Sequence, residues 1–307
     1  MRCTVGLGCL VATFFCFSWL AETGLSADAS QELRRAVVQG SFGTFDEAPR
    51  DKSGNVDIPR LLDQLAELRA NTYNWLISKD NDWSDLAKFL PLARQRGVNV
   101  WVSLVSPSES PDGKNASKPF QQDYERWATE IAKLSARESN LVAWSMDNLS
   151  DNASVLTPER MSQIAAATRA IHPKLAFVPR LYFAKEAANP KFVKEYRNAV
   201  DGILFAYGRE SGKVDRKNAD QVREEVKKIH ELWGPLVPLV LDVYSSDPDA
   251  RLNPSTQDYV RQVMTAGKQY ANGVQIHCHP NPKTSTEKYG IVKDLFHDWA
   301  TEEDVLY

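Results

Sequence analysis

Short apolar runs alternate along the chain with segments whose apolar residues recur every three or four positions. Eight of the runs have the length and composition of buried strands. They are AVVQGSF (36–42), NTYNWLI (71–77), NVWVSLVS (99–106), LVAWSMD (141–147), LAFVPRLYF (175–183), GILFAYG (202–208), LVPLVLDVY (236–244) and GVQIHCH (273–279). Each run is followed by a segment with helical spacing, so the pattern predicts eight successive strand–helix units.

The predicted helices carry recognisable start and stop signals. Asp57 with Pro59, Thr157-Pro158 and Asn253-Pro254 each place a capping side chain before a proline in the first turn. Gly97 stands where a glycine commonly ends a helix, here the second one. The clearest amphipathic stripe lies between strands three and four and consists of Phe120, Tyr124, Trp127, Ile131 and Leu134.

Eight strand–helix units between residues 35 and 307 match the length and strand count of a (β/α)8 barrel. The alternative is an open doubly wound sheet, which usually has a glycine-rich turn after its first strand. The corresponding stretch, QGSFGTF, contains no G-x-G-x-x-G, and the sequence has no P-loop. We therefore predict an α/β fold of the TIM-barrel type, in one domain over residues 35–307, without a bound cofactor.

The N-terminus differs from the rest of the chain. Residues 3–21, CTVGLGCLVATFFCFSWLA, are apolar and uncharged, and small residues follow them. This order is typical of a secretory signal peptide, here residues 1–27, with cleavage between Thr23 and Ala27. We expect a secreted or periplasmic protein that is not membrane-bound after cleavage. An uncleaved anchor is the alternative, because the run approaches the roughly 20 residues that span a bilayer.

Charge and cysteine content narrow the possible partners and the sources of stability. The formal net charge is -3, so we expect no general attraction to nucleic acid. Three of the four cysteines lie in the leader, and only Cys278 stays in the predicted mature chain. One thiol cannot form an internal disulfide, so packing must stabilise the fold. The sequence predicts no particular oligomeric state.

Alternation along each strand predicts which side chains point into the barrel. In strand four, Val142, Trp144 and Met146 suit the helix-facing side, and Asp147 points inward at the C-terminal end. Asp242 takes the same position on strand seven. Barrel enzymes hold their chemistry at the C-terminal ends of the strands. Asp147 and Asp242 are therefore the candidate catalytic residues.

Other polar and aromatic residues are predicted to meet at the same end and to bind substrate. The rings of Trp75 and Trp101 are further candidates for stacking on a sugar. Asn148 follows Asp147, Tyr207 ends strand six, and the remaining candidates are inward positions. The full predicted binding set is Gln39, Asn74, Ser103, Asn148, Arg180, Tyr182, Tyr207, Tyr244, His277 and His279.

The segment LVAWSMDNLSD resembles the end of strand four in secreted (β/α)8 glycoside hydrolases and related secreted barrels, where a W-x-x-D-[DN] pattern occurs. In glycosidases that act on N-acetylated sugars by substrate assistance, two adjacent acidic residues often end this strand. One orients the acetamido group and the other protonates the leaving oxygen. The resemblance implies the first role for Asp147, but the second position holds Asn148, which cannot act as an acid.

A second group of glycoside hydrolases carries its glutamates on strands four and seven. Asp147 and Asp242 would occupy the matching strands, although both are aspartates and the usual Asn-Glu pair of strand four is absent. The resemblance implies a hydrolase of glycosidic bonds that uses two carboxylates.

Three functions follow from these residues. The first is a secreted carbohydrate-active hydrolase with Asp147 and Asp242 as working carboxylates and a carbohydrate as its partner. The second is a carbohydrate-binding barrel without catalysis, which Asn148 favours. The third is a metal-dependent hydrolase that uses His277, His279 and Asp242, although two histidines alone do not make a metal site.

Overall fold

The computed structural model describes residues 27–210, 213–214, 218–245, 255–277, 283 and 285–305. In these residues, nine parallel strand segments form one curled sheet, and helices alternate with the strands along the chain. The predicted signal peptide, residues 1–27, lies outside the described residues except for Ala27.

The sheet consists of short parallel segments, and a separate antiparallel pair, β8 and β9, follows its seventh segment. The strands are β1 (Ser41–Phe45), β2 (Thr72–Ile77), β3 (Asn99–Leu104), β4 (Leu141–Met146), β5 (Ala176–Phe177), β6 (Arg180–Leu181), β7 (Ile203–Ala206), β8 (Arg209–Glu210), β9 (Lys213–Val214), β10 (Leu239–Tyr244) and β11 (Gly273–His277).

The helices cover the outside of the sheet, and in the described ranges none combines the length and apolarity needed to cross a membrane. They are α1 (Ala27–Ala36), α2 (Ile58–Leu68), α3 (Asp82–Gln95), α4 (Tyr124–Ser135), α5 (Pro158–Ile171), α6 (Pro190–Tyr196), α7 (Val222–Trp233), α8 (Gln257–Tyr270) and α9 (Thr286–Val305).

The sheet closes on itself through strand five. Its order is β5-β4-β3-β2-β1-β11-β10-β7-β6, and only Val178 and Pro179 separate the two outermost segments along the chain. The N–H of Val178 donates to the carbonyl oxygen of Trp144 at 2.9 Å, and the N–H of Leu204 donates to that of Pro179 at 3.0 Å. A proline cannot donate to a neighbouring strand, which explains the break. β5 and β6 are thus halves of one strand, and the predicted (β/α)8 barrel is confirmed.

Two apolar cores lie on the two sides of the sheet. The larger one fills the space between strands and helices. The smaller one fills the barrel interior toward the N-terminal ends of the strands, so the barrel has a packed floor there. The inner core consists of Val38, Trp101, Val142, Ala143, Ala176, Val178, Leu204 and Val240.

The prediction for strand one is wrong. Residues 36–42 were expected to form it, with Gln39 pointing inward, but α1 runs to Ala36 and β1 begins at Ser41. Gln39 lies in the intervening turn, is exposed, and precedes the N-terminal end of β1. It is therefore at the opposite end of the barrel from Asp147.

The physical reason lies in the anchoring of α1. Arg34 is buried; its Nε donates to Asp201 Oδ1 and its Nη1 to the carbonyl oxygen of Pro173, each at 2.7 Å. These bonds hold the end of α1 at the N-terminal end of the barrel. The apolar residue Val38 consequently fills the inner core from a turn, and its hydrophobicity does not come from a strand.

One facing prediction in strand four is also wrong. Trp144 and Met146 pack in the outer core as predicted, but Val142 belongs to the inner core. The pairing of β3 with β4 shifts between Val100 and Trp101, so that Trp101 pairs with Ala143 and Val142 is skipped. A bulge of this kind breaks the alternation on which the prediction depends.

The helix signals are confirmed where they are described. Asp57 and Thr157 accept hydrogen bonds from the backbone at the starts of α2 and α5, and Gly97 follows α3 with a φ of 70°. Asn253-Pro254 lies outside the described residues, and the side chain that caps α8 is that of Thr256.

The contact between β1 and β11 generates a test of the barrel packing. A methyl group on Gly273 would lie 2.6 Å from the backbone oxygen of Ser41, which cannot move without disturbing β1. We expect Gly273→Ala to lower the free energy of unfolding by about 1–3 kcal/mol, the usual cost of overpacking. Urea unfolding followed by circular dichroism measures the change.

Gly290→Ala is the matched control. A methyl group there, in α9, meets no atom within 4 Å. Because alanine favours a helix over glycine, this variant should be more stable by about 0.5–1 kcal/mol. Equal free energies of unfolding for Gly273→Ala and Gly290→Ala would contradict the close packing of β11 against β1 at Gly273.

Candidate functional site

A cavity of about 350 Å³ opens at the C-terminal ends of the barrel strands. This volume is at the small end of the range for ligand sites. Polar side chains and short apolar surfaces both contribute to its wall. Its lining consists of Phe45, Asn74, Leu76, Ser78, Lys79, Ser103, Leu104, Val105, Glu109, Asn115, Ser145, Asp147, Arg180, Leu204, Gln275 and His277.

The guanidinium of Arg180 is the centre of the site. Its Nε donates to Asp242 Oδ2 at 2.6 Å, and its Nη1 donates to Asp147 Oδ2 at 2.9 Å. Nη1 also donates to the hydroxyl of Tyr182 at 3.1 Å, and Nη2 donates to that of Tyr244. Burial opposes the charge of Arg180, but the surrounding hydroxyls and carboxylates raise its pKa well above the ordinary value.

Asp242 is fully buried and does not line the cavity. Its second oxygen, Oδ1, accepts a hydrogen bond from Gln275 Nε2 at 3.0 Å. Burial by itself raises the pKa of a carboxyl group, but the charge of Arg180 outweighs it and holds the pKa of Asp242 well below the usual range. A carboxylate in this state can stabilise a positive charge but is a poor proton donor.

Asp147 is the carboxylate that reaches the cavity, with 16% of its side chain exposed. Besides Arg180, the hydroxyl of Tyr182 donates to its Oδ2 at 2.9 Å, and the N–H of Asn148 donates to its Oδ1 at 2.7 Å. Asn148 adopts a φ of 58°, in the left-handed region that is uncommon outside glycine. This turn directs the chain away from the barrel immediately after Asp147.

A row of hydrogen bonds across the cavity floor fixes the buried ion pair. Ser103 Oγ donates to Asn74 Oδ1 at 2.7 Å, and Asn74 Nδ2 donates to Gln275 Oε1 at 3.1 Å. Gln275 in turn donates to Asp242. Because each amide has both a donor and an acceptor in use, the orientation of every side chain in the row is determined.

His277 stands at one side of the cavity between two rings. Its ring centroid lies 4.7 Å from that of Phe45 and 4.5 Å from that of Tyr244. Burial and the charge of Arg180 lower its pKa, which favours the neutral imidazole. Its Nδ1 lies 3.4 Å from Asp242 Oδ2 and has no well-oriented hydrogen bond among the described residues.

Glu109 is a cavity residue that the sequence analysis missed. It ends a 3-10 turn, Pro107–Glu109, after β3, and Ser106 donates to its Oε2 through both N–H and Oγ–H. Partial burial of the carboxyl group and the charge of Asp147 raise its pKa. The S-P-S-E pattern marks Glu109 as a capping residue, and nothing in its spacing indicates a site.

The structure brings together part of the predicted set. Asn74, Ser103, Asp147, Arg180 and His277 line the cavity. The hydroxyls of Tyr182 and Tyr244 hold Arg180, and Asp242 lies among them without reaching the cavity. His279 lies outside the described residues.

Other predicted binding residues lie away from the cavity. Tyr207 faces the helices and stacks on Tyr259, with centroids 6.5 Å apart. Trp101 belongs to the inner core, and Trp75 packs against Phe89 in the outer core. The strand pattern indicates a large aromatic residue at these positions but not which core it fills.

Metal ligands were a further possibility at this end of the barrel. In the parts of the chain that the structure describes, no three His, Cys, Asp or Glu side chains are grouped to hold a metal ion. His277 and Asp242 are near one another, and the third proposed ligand, His279, is not described.

Known structures share this architecture. A glucosidase from Croceicoccus marinus superposes with a TM-score of 0.59 at 15% identity, over 86% of this chain and 68% of the other. The fold is that of glycoside-hydrolase barrels. A putative α-L-fucosidase from Bacteroides thetaiotaomicron superposes with a TM-score of 0.58 at 14% identity, over 84% of this chain and 95% of the other. An α-amylase from Geobacillus thermoleovorans in complex with acarbose superposes with a TM-score of 0.53 at 10% identity, over 83% of this chain and 77% of the other.

These comparisons concern the fold. At the level of the fold, they confirm the resemblance to (β/α)8 glycoside hydrolases that the strand-four segment indicated. No protein-family profile matches the chain, and no curated protein sequence matches it. Identities of 10–15% leave the chemistry of the site to be argued from its own residues.

The buried ion pair generates a test of stability. Replacing Asp242 by Asn removes one of the two negative charges that face Arg180. We expect the free energy of unfolding to fall by about 3–5 kcal/mol at pH 7, because a buried charge loses its partner. The pKa of Asp242 is lower in the folded protein than in the unfolded chain, where it is about 3.9. The contribution of Asp242 to the free energy of unfolding is therefore fully present above this unfolded-state pKa and is lost as the pH falls through the folded-state pKa. The difference between wild type and variant should therefore narrow below about pH 4.

Asp151→Asn is the control for this measurement. Asp151 pairs with Lys185 at 3.0 Å on the surface, with side chains 45% and 37% exposed. Its loss should cost under about 1 kcal/mol, as is usual for exposed pairs. An Asp242→Asn variant as stable as the Asp151→Asn variant at pH 7 would contradict the role given to the buried pair.

Proposed function

We propose that this protein is a carbohydrate-active hydrolase that cleaves glycosidic bonds, with Asp147 as its working carboxylate. The observation that carries the proposal is the position of Asp147. It faces a polar cavity at the C-terminal ends of the barrel strands and is fixed there by a buried arginine. Preorganised charge of this kind is what stabilises an oxocarbenium-like transition state.

The lining of the cavity supports a carbohydrate as the substrate. Ser103 and Asn115 line the cavity with a hydroxyl and an amide group of the kind that bind sugar hydroxyls. The ring of Phe45, stacked on His277, offers an apolar face for a pyranose. The volume of about 350 Å³ accommodates roughly one sugar ring below the rim.

Asp242 has a supporting role in this proposal. It was expected to share catalysis with Asp147, but both of its oxygens are engaged below the cavity. We assign it the positioning of Arg180, which in turn orients Asp147. A second working carboxylate must then come from another element of the barrel.

A second candidate is a carbohydrate-binding barrel without catalysis. Two observations favour it: Asn148 occupies the position where substrate-assisted glycosidases have their acid, and Asp242 is buried in an ion pair. In this case the cavity would hold a sugar, and no bond would be cleaved.

The location of the protein is also part of the proposal. The apolar, uncharged segment 3–21 followed by small residues supports export by a signal peptide. N-terminal sequencing of the protein recovered from the periplasm or medium of the host tests this, and a start between Thr23 and Ala27 is expected. An intact N-terminus in the cytoplasm would contradict it.

The test of the activity begins with a screen of aryl glycosides and polysaccharides, which identifies a substrate. Asp147→Asn should then lower kcat by about 10²–10⁴-fold, the usual contribution of a catalytic acid or base. The amide is isosteric and keeps a hydrogen bond from Arg180, so the fold should be retained. Circular dichroism and urea unfolding check this.

Asp151→Asn is the matched control for activity, because it makes the same change four residues further along the chain, outside the cavity. We expect it to keep wild-type kcat. An Asp147→Asn variant with wild-type turnover would overturn the role of Asp147. A wild-type protein that binds sugars by calorimetry but cleaves none of the substrates would favour the binding barrel.

A further inference from the structure

Glu109 is a second carboxylate at the cavity, contributed by the connection between β3 and α4. Its Oε2 accepts hydrogen bonds from the Ser106 N–H at 3.1 Å and from Ser106 Oγ at 3.2 Å. Its other oxygen, Oε1, receives no hydrogen bond from any part of the chain that is described here. One half of the carboxyl group is thus fixed, and the other half is available to a ligand.

The turn that carries Glu109 is tied to the end of strand four. Asn152 is 3% exposed; its Oδ1 accepts from the Ser108 N–H at 2.7 Å, and its Nδ2 donates to Ser108 Oγ at 2.9 Å. The same Nδ2 donates to the carbonyl oxygen of Asn148 at 2.6 Å. Asn152 therefore holds the turn of Glu109 against the residue that follows Asp147.

The two carboxylates lie in different electrostatic environments. Asp147 is paired with Arg180 at 2.9 Å and accepts a hydrogen bond from Tyr182. Glu109 has no cationic partner within ion-pair distance among the described side chains, and burial together with the charge of Asp147 raises its pKa. Glu109 thus keeps its proton to a higher pH than a free glutamic acid, as a proton donor requires.

We propose that Glu109 is the proton donor of this site, a role that rests on the proposed glycosidase function. Glu109 transfers its proton to the glycosidic oxygen as the bond from that oxygen to the anomeric carbon breaks. Water supplies the hydroxyl group that bonds to the anomeric carbon. Either Asp147 takes the proton that this water loses as it attacks, or Asp147 first bonds to the anomeric carbon and water then breaks that bond, giving its proton to the Glu109 carboxylate.

The capping hydrogen bonds with Ser106 give Glu109 a structural role, which would account for a glutamate at this position even if it took no part in catalysis. Glutamine forms the same capping box as glutamate but cannot donate a proton as an acid. Glu109→Gln consequently keeps the turn and removes only the proposed chemistry.

The experiment compares two glycosides of the sugar found in the screen. A dinitrophenyl glycoside has a leaving group that departs without a proton, whereas a disaccharide requires one. Glu109→Gln should lower kcat/KM for the disaccharide by about 10²–10⁴-fold and leave most of the activity on the dinitrophenyl glycoside. Asp147→Asn should reduce both.

The pH profile gives a second readout. Activity that depends on a protonated Glu109 falls as the pH rises through its raised pKa, so wild type should lose activity on the disaccharide on the alkaline side. The residual activity of Glu109→Gln should lack this limb. Asp112→Asn, in the same connection and paired with Lys114 on the surface, is the matched control and should behave as wild type.

The outcomes separate the two proposals. A wild-type protein that cleaves no glycoside in the screen overturns the glycosidase function and, with it, the role of Glu109. An active wild type whose Glu109→Gln variant slows both substrates equally, or neither, overturns the role of Glu109 alone.

Discussion

The site depends on one buried positive charge. Arg180 is 6% exposed, and its guanidinium contacts Asp147, Asp242 and the hydroxyls of Tyr182 and Tyr244. A charge this deeply buried is unfavourable unless it is fully paired. The C-terminal ends of three strands, β4, β6 and β10, supply those partners, so the barrel must close correctly for the site to exist.

The cost of this arrangement explains why the floor of the cavity is polar. Each oxygen of Asp242 has a donor, and Gln275, Asn74 and Ser103 continue the row of bonds toward β3. A network in which every polar group has a hydrogen-bond partner holds its side chains in one geometry. Loss of one partner would leave a buried polar group without a hydrogen bond, which is unfavourable where the dielectric constant is low. The apolar inner core beneath it excludes water from the other side.

The same network divides the carboxylates by function. Asp242 is fully buried and accepts a hydrogen bond from Arg180 Nε at 2.6 Å, so its role is to stabilise the charge of Arg180. Asp147 touches both the arginine and the cavity. Glu109 lies on a loop outside the strand ends and forms no ion pair with Arg180, and burial together with the charge of Asp147 raises its pKa. Position relative to one guanidinium thus gives three acidic groups three different properties.

The sequence by itself determined the barrel and the end at which its polar groups meet. Strand alternation is a local property, and it correctly placed Asp147, Arg180, Asp242 and His277 toward the interior. It also indicated the starts of α2 and α5, because capping depends on residues only a few positions apart.

Only the tertiary structure decided what those residues do. The bulge that turns Val142 inward and the anchoring of Arg34 that moves Gln39 to the far end arise from pairing between distant segments. The sharing of Arg180 between Asp147 and Asp242, and the tie from Asn152 that places Glu109 beside the cavity, also join different strands and loops. Periodicity along one strand contains no information about such partners, because they are brought together by closure of the barrel.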